Sequence, residues 1–182
     1  DAGQWIFPAP THRPRSRPND VYAKRRADGR TNPPLCPAIR VQQPPTVDGL
    51  LDEWRSAEHS IELREDLDGV PSRLPASRVW IGYDNAALFV AARHPVSDGL
   101  STPPTSLHLW GQVPGMELAL QSAAVSDASM LHLRGYPDGH FESAGKDDLS
   151  PAQRFPLDAA VSYRTSADEE GWSCEWRIPF DV

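Results

Sequence analysis

The sequence lacks any long apolar segment and contains little cysteine. No run of about 18 apolar residues occurs, so we expect no membrane-spanning helix. The two cysteines, Cys36 and Cys174, form no Cys-x-x-Cys pair, which argues against zinc-knuckle, thioredoxin-type and c-type haem sites. Two alternatives stay open: a disulfide between them, or a buried thiol at Cys174, which alternates with Trp172 and Trp176 in a predicted strand.

Motifs of catalysis and metal binding are also missing. The six histidines never occur as His-x-x-x-His, and the chain contains no Gly-x-Ser-x-Gly elbow and no glycine-rich phosphate loop. Its carboxylate clusters, at Asp66 and Asp68, Asp147 and Asp148, and residues 168–170, fall in polar segments typical of solvated turns. We therefore expect no catalytic residue, no metal site, no cofactor and no enzyme activity.

Proline and glycine are abundant instead. The 182 residues include 19 Pro and 12 Gly, and 24% of the residues are charged. Because proline lacks the amide hydrogen that a helix interior needs, many turns and few long helices are expected. The length suits one domain with a hydrophobic core plus an appendage. The composition therefore predicts an all-β domain.

The first 40 residues differ from the rest in charge. They carry a net charge of +5 and the remaining residues sum to −12, while nine of the 19 prolines precede Thr46. Such a segment has too little apolar surface to offset its own chain entropy. We interpret residues 1–37 as an extended, Pro/Arg-rich N-terminal arm, held either by a partner or by packing along its own domain, and residues 38–182 as the domain.

The arm supplies candidate partner-binding residues. Apolar anchors lie near its tip and arginines follow them: Trp5, Ile6, Phe7, Arg13, Arg15, Arg17, Arg25 and Arg26. We do not expect nucleic acid as the partner, because few aromatic residues are interleaved with the arginines and the domain is acidic. The expected partner is a larger protein complex, with membrane-associated complexes among the candidates.

From Ala38 onward, apolar residues alternate with polar ones, as they do in β-strands. Residues 79–83 and 88–92 flank a predicted hairpin turn at Asp84-Asn85. Many short strands separated by loops predict a two-sheet antiparallel β-sandwich of the jelly-roll type. Further strands are predicted at 38–41, 116–120, 130–133, 140–142, 160–164 and 172–178, with a helical turn at 51–54, a tight turn at 137–139, and loops at 97–106, 145–156 and 165–171.

Four segments occur in a fixed order along the domain. They are residues 47–54 (VDGLLDEW), 77–92 (SRVWIGYDNAALFVAA), 116–120 (MELAL) and 171–179 (GWSCEWRIP). Together they resemble the family 9 carbohydrate-binding modules, and the haem- or sugar-binding sandwiches related to them, over residues 38–180. The resemblance implies a β-sandwich that binds a ligand without catalysis.

The resemblance also implies particular binding residues. Modules of this family stack a sugar ring on a tryptophan before the central strand, a position matched here by Trp110. Of the acidic residues that usually follow this tryptophan, Glu117 is the one present. The related haem-binding sandwiches use Met, His or Lys as axial ligands, but Met116 and Met130 alternate with polar residues as core residues do. We therefore expect no haem.

These observations support three hypotheses for function. Family 9 modules continue past the Ile-Pro segment with a second sugar-stacking tryptophan, whereas this sequence ends at Val182. The leading hypothesis is therefore a non-catalytic accessory or structural subunit that docks on a protein assembly through its arm. The alternative is a module that binds a poly- or oligosaccharide at Trp110 and Glu117, and the third is a module of a larger secreted enzyme. The start at Asp1 without methionine favours an extracytoplasmic location, periplasmic or secreted.

Overall fold

Short strands joined by turns make up most of the described chain. The structure is a computed structural model that describes residues 37–55, 59–64, 75–95, 108, 114–120, 131–145 and 151–181. All of these residues belong to one unit, Cys36–Arg64 with Ser72–Val182. The predicted division between an arm and a domain at residue 38 stays a prediction, because residues 1–36 lie outside the described ranges.

The elements follow one another as nine strands and one helix in the described residues. They are β1 (Ile39–Arg40), β2 (Ile61–Leu63), β3 (Ser77–Tyr83), β4 (Ala87–Pro95), β5 (Met116–Leu120), β6 (Leu131–Gly135), β7 (Phe141–Gly145), α1 (Pro151–Ala160), β8 (Ser162–Asp168) and β9 (Gly171–Pro179). No helix among these residues is long and apolar enough to cross a membrane.

The strands form two sheets, as the all-β sandwich prediction requires. In the described residues the larger sheet has the order β1-β3-β4-β9-β8, with β2 also paired to β3, and the smaller sheet has the order β5-β6-β7. Neighbouring strands are antiparallel except that β1 runs parallel to β3. The two-sheet prediction is therefore confirmed, with one parallel edge pair that the sequence pattern did not indicate.

The hairpin of β3 and β4 shows how local sequence sets a turn. Asp84 Oδ1 accepts hydrogen bonds from the backbone N–H groups of Ala86 at 2.7 Å and Ala87 at 2.8 Å. Aspartate is favoured in turns because its short side chain reaches the backbone two residues on. The predicted turn at Asp84-Asn85 is confirmed.

Two predicted loops are wrong. The segment 165–171 was expected to be a loop, but β8 continues to Asp168 and only Glu169 and Glu170 form the turn. Its polar residues suit β8 because that strand lies at a sheet edge, where one side meets solvent. The predicted loop 145–156 contains the start of α1, which begins at Pro151, a residue favoured in the first turn of a helix.

The main core lies between the two sheets. The larger sheet contributes Val79, Val90, Ala92, Trp172, Cys174, Trp176 and Ile178, and the smaller sheet contributes Met116 and Leu133. These residues alternate along their strands, so the sandwich buries one face of each sheet. Cys174 is a free thiol with none of its surface exposed, and burial raises its pKa to about 12. The open alternative of a disulfide to Cys36 is therefore not formed.

A second core covers the opposite face of the larger sheet. Trp80, Phe89 and Ala91 point away from the sandwich interior and pack beneath Leu51 and Trp54. The helical turn predicted at 51–54 is confirmed, since the N–H groups of Trp54 and Arg55 both donate to the Leu51 carbonyl at 3.1 Å. The larger sheet is thus buried on both faces, whereas no described element packs on the outer face of the smaller sheet, which we call its open face.

Glu175 of β9 binds residues 48–54, the segment that covers this face of the larger sheet, through hydrogen bonds. Its Oε2 accepts the backbone N–H groups of Asp48 at 3.0 Å and Gly49 at 2.8 Å, and its Oε1 accepts Trp54 Nε1 at 2.8 Å. Gly49 has a φ of 89°, and a Cβ there would lie 2.4 Å from the Thr165 carbonyl carbon, so no larger residue fits. Burial raises the pKa of Glu175 above its ordinary value, although the three hydrogen bonds act in the opposite direction.

Candidate functional site

The open face of the smaller sheet carries a row of three charged residues. Met116, Leu118, Leu133 and Phe141 pack in the sandwich core, so the residues between them face outward. On that outer face the three strands bring together Glu117 of β5, Arg134 of β6 and Glu142 of β7, which are direct partners in the strand register. We call these three residues the charged row.

Hydrogen bonds join the charged row to the neighbouring His132. Arg134 Nε donates to Glu117 Oε2 at 3.2 Å, and the Arg134 guanidinium lies 3.8 Å from Glu142 Oε1. On the other oxygen of Glu117, His132 Nδ1 lies 3.0 Å from Oε1. The side chains are 23% exposed for Glu117, 29% for Arg134 and 41% for Glu142. They are therefore held in place and still accessible to a ligand.

Tyr136 closes one end of the row. Its single hydroxyl proton has two acceptors within reach, Glu142 Oε1 at 3.0 Å and the His108 carbonyl oxygen at 3.3 Å, of which Glu142 is the nearer. Only 1% of Tyr136 is exposed. Burial, with a smaller contribution from Glu142, raises the pKa of this phenol to about 12, so it stays a proton donor at neutral pH.

A cluster of rings surrounds the turn that follows Tyr136. His108 stacks on His140 with ring centroids 4.0 Å apart, and His108 Nε2 lies 2.7 Å from Asp138 Oδ2. The backbone N–H of His140 donates to Asp138 Oδ1 at 3.0 Å. Burial acts to raise the pKa of Asp138, but these hydrogen bonds outweigh it and hold the pKa below its ordinary value. The tight turn predicted at 137–139 is confirmed, with His108 fixed beside it.

This face offers both hydrogen-bond donors and hydrogen-bond acceptors. Within residues 37–181, gaps excepted, no group of three or more His, Cys, Asp and Glu side chains is arranged to hold a metal ion. Arginine donates from several N–H groups and each carboxylate accepts through two oxygens. Alternating donors and acceptors of this kind suit a ligand rich in hydroxyl groups.

The sequence-predicted site residues are only partly described. Glu117 lies in the charged row, whereas Trp110 falls outside the described residues. So do all the predicted partner-binding residues of the arm, from Trp5 to Arg26, and the docking hypothesis that rests on them stays a prediction. Met116 is a core residue, as predicted, with 7% of its surface exposed.

Sequence reasoning missed Arg134 and Glu142. The outward positions on β6 and β7 follow from the alternation of apolar residues, so this signal was present in the sequence. The sequence does not give the strand register, and only the pairing of β5, β6 and β7 shows that Glu117, Arg134 and Glu142 share one row.

No protein family profile matches the chain, and no curated protein sequence matches it either. Solved structures with a similar fold were found. A family 9 carbohydrate-binding module from Caldicellulosiruptor kristjanssonii in complex with glucose is similar at a TM-score of 0.50 and 20% identity, over 80% of this chain and 70% of that one. The chain has a fold like that of a family 9 carbohydrate-binding module. A module of the same family and organism, in complex with cellotriose, matches at a TM-score of 0.49 and 20% identity, over 80% and 69% of the two chains.

The fold comparison confirms the resemblance drawn from the four segments. Two of these segments, 47–54 and 171–179, are joined through Glu175 and its hydrogen bonds to Asp48, Gly49 and Trp54. These two segments therefore stabilise the fold. Among the outward-facing charged residues of the smaller sheet, only Glu117 belongs to one of the four segments.

Proposed function

We propose that this chain is a non-catalytic carbohydrate-binding module that binds a poly- or oligosaccharide on the open face of its smaller sheet. The charged row is the observation that carries the proposal: Glu117, Arg134 and Glu142 are aligned across three strands and accessible. The similar fold of a module whose structure contains glucose supports the same reading over docking on a protein assembly.

Chemistry supports a sugar as the ligand of this face. A sugar hydroxyl both donates and accepts, so it pairs with a carboxylate on one side and a guanidinium on the other. Charge-assisted hydrogen bonds of this kind are about twice as strong as neutral ones. The row therefore offers hydroxyl groups a set of donors and acceptors that its own contacts already hold in place.

Trp110, which lies outside the described residues, is included in the proposed site because the sequence resemblance implies that it stacks on a sugar ring. His108 is fixed at the end of the row by Asp138, His140 and Tyr136. An indole face covers the apolar face of a pyranose ring while polar neighbours bind its hydroxyls. A polysaccharide ligand also favours the periplasmic or secreted location that we expect from the sequence.

Titration with glucose and cellotriose tests the proposal, with tryptophan fluorescence and calorimetry as readouts. Arg134→Ala is expected to weaken binding by about tenfold or more, since hydrogen bonds to charged groups contribute about 1.5–3 kcal/mol. Trp110→Ala is expected to abolish the fluorescence response. Arg78→Ala is the matched control, because Arg78 also pairs with a strand glutamate, Glu62, but on the larger sheet.

Two results contradict the proposal. One is the absence of binding to any soluble oligosaccharide by folded protein. The other is an equal loss of affinity in the Arg134 and Arg78 variants, because that would mean that the charged row has no specific part in binding. Circular dichroism and thermal melts of each variant separate lost binding from lost folding.

A further inference from the structure

Glu117 and Glu142 flank the same arginine, but they differ in how many of their oxygens are already bonded. Both oxygens of Glu117 are engaged, Oε1 with His132 and Oε2 with Arg134. Glu142 uses Oε1 for the Tyr136 hydroxyl and the Arg134 guanidinium. In the described part of the chain, no group donates a hydrogen bond to Glu142 Oε2. The more available carboxylate of the row is thus Glu142, although the sequence drew attention to Glu117.

Tyr136 makes Glu142 a defined acceptor. The tyrosine is buried, and its hydroxyl lies 3.0 Å from Oε1. This hydrogen bond fixes one oxygen of a side chain that is 41% exposed, so the second oxygen is presented without the full entropy cost of ordering a free glutamate. The carboxylate is therefore preorganised for a donor from a ligand.

The row as a whole is negative. It holds two carboxylates and one guanidinium, and His132 adds a positive charge only when it is protonated. A carboxylate on a ligand about 6 Å from Glu142 is repelled enough to weaken binding roughly threefold even at the dielectric constant of water, and more in a partly buried site. An ammonium group at the same place is attracted to a similar extent.

We propose that Glu142 is the charge-selecting residue of this site, which accepts neutral and amino sugars and excludes sugars that carry a carboxylate. The inference rests on the proposed function, because it needs a sugar on this face. Glu142 then contributes in two ways: its Oε2 accepts a hydrogen bond from a hydroxyl or ammonium group, and its charge opposes uronates.

Three β-1,4-linked trisaccharides test the proposal, built from glucose, glucosamine and glucuronate. Calorimetry at a pH where the amine is protonated and the carboxylate ionised gives the affinity for each. We expect the glucuronate trimer to bind at least roughly tenfold more weakly than the glucose trimer, and the glucosamine trimer to bind at least as tightly as glucose. Glu142→Gln keeps an acceptor for Tyr136 but removes the charge, so the ratio of glucuronate to glucose affinity should rise about threefold or more.

Glu62→Gln is the matched control for this experiment. Glu62 lies on the larger sheet, is 38% exposed, and is paired with Arg64 and Arg78, so the substitution makes the same change in net charge. It should leave the affinity ratios as they are in the parent protein. If Glu62→Gln and Glu142→Gln shift the ratios equally, selection comes from net charge and the assignment to Glu142 is overturned.

The remaining outcomes separate this inference from the proposed function. Equal binding of the glucose and glucuronate trimers by the parent protein overturns the charge selection and leaves sugar binding intact. Absence of binding to all three trimers contradicts the proposed function, and the inference falls with it. If the Glu142→Gln variant discriminates between the glucose and glucuronate trimers as strongly as the parent protein, another residue is responsible and the proposal is overturned.

Discussion

Two glutamates, Glu175 and Glu142, differ in how completely their carboxylate oxygens are hydrogen-bonded and in how exposed they are. Glu175 is 2% exposed and accepts three hydrogen bonds from the segment that covers the larger sheet. Glu142 is 41% exposed and has one oxygen without a hydrogen bond from the described residues. A closed network stabilises the fold, whereas an open one is available to a ligand. Accessibility of the second oxygen, rather than the presence of the carboxylate, distinguishes the two.

Glu175→Ala is the strongest way to break the closed network. It leaves the buried N–H groups of Gly49 and Trp54, and the partly buried N–H of Asp48, without their acceptor, and it removes side-chain volume from a packed region. We expect the free energy of unfolding to fall by about 3–5 kcal/mol, measured by urea denaturation. Glu62→Gln should change it much less, since Glu62 is exposed. Equal effects of the two substitutions would contradict the structural role of Glu175.

His94 is a buried side chain with only one of its two ring nitrogens hydrogen-bonded within the described ranges, and it makes the free energy of unfolding depend on pH. Its Nδ1 lies 2.9 Å from Ser77 Oγ and its ring stacks on Trp172, but Nε2 is buried without a hydrogen-bond partner among the described residues. Burial, with a smaller effect of Arg93, lowers the pKa of His94 to about 4 from 6.5. The unfolded chain therefore takes up the proton first, and stability is lost as the pH falls from 6.5 to 4.

The expected loss attributable to His94 is about 3 kcal/mol across that interval, from about 1.4 kcal/mol for each pH unit between the two pKa values. His94→Gln removes the titration and keeps a polar side chain. Urea denaturation at several pH values should show a shallower decline for the variant than for the parent protein. Parallel pH profiles would rule out the buried imidazole as the cause, and other acidic groups would then account for the decline.

Glu117→Gln should have only a small effect on folding. Its partners His132 and Arg134 are at least 24% exposed, and exposed ion pairs contribute about 1 kcal/mol or less. We expect the free energy of unfolding to change by about 1 kcal/mol at most, while the affinity for cellotriose falls several-fold because Arg134 loses its orientation. A large loss of stability would place Glu117 with Glu175 among the structural carboxylates.

Much of the fold was predictable because it depends on local alternation. The strands around Asp84-Asn85, the strand at 116–120 and the turn at 137–139 each follow from residue type and spacing, and each is confirmed. The strand β8 was partly missed because its second half is polar, and a polar edge strand resembles a loop in sequence. The parallel pairing of β1 depends on contacts between distant residues, which no local pattern reports.

The candidate site was less predictable for the same physical reason. Glu117 was found through a segment pattern, whereas Arg134 and Glu142 become neighbours only when β5, β6 and β7 pair in register. Similarly, Glu175 is 126 residues from Gly49 in sequence, and their hydrogen bond exists only in the folded chain. Sequence reasoning therefore identifies strands well and the residues that meet between strands poorly.

Because the Cys174 thiol is buried, its rate of chemical labelling can be used to measure how often the sandwich opens. With none of its surface exposed and a pKa near 12, this thiol does not react with an alkylating reagent while the sandwich is closed. In a Cys36→Ser background, the rate at which Cys174 is labelled measures how often β9 parts from its neighbours. Bound sugar that tightens the smaller sheet would slow this labelling, so one reaction would report both stability and ligand occupancy without an added probe.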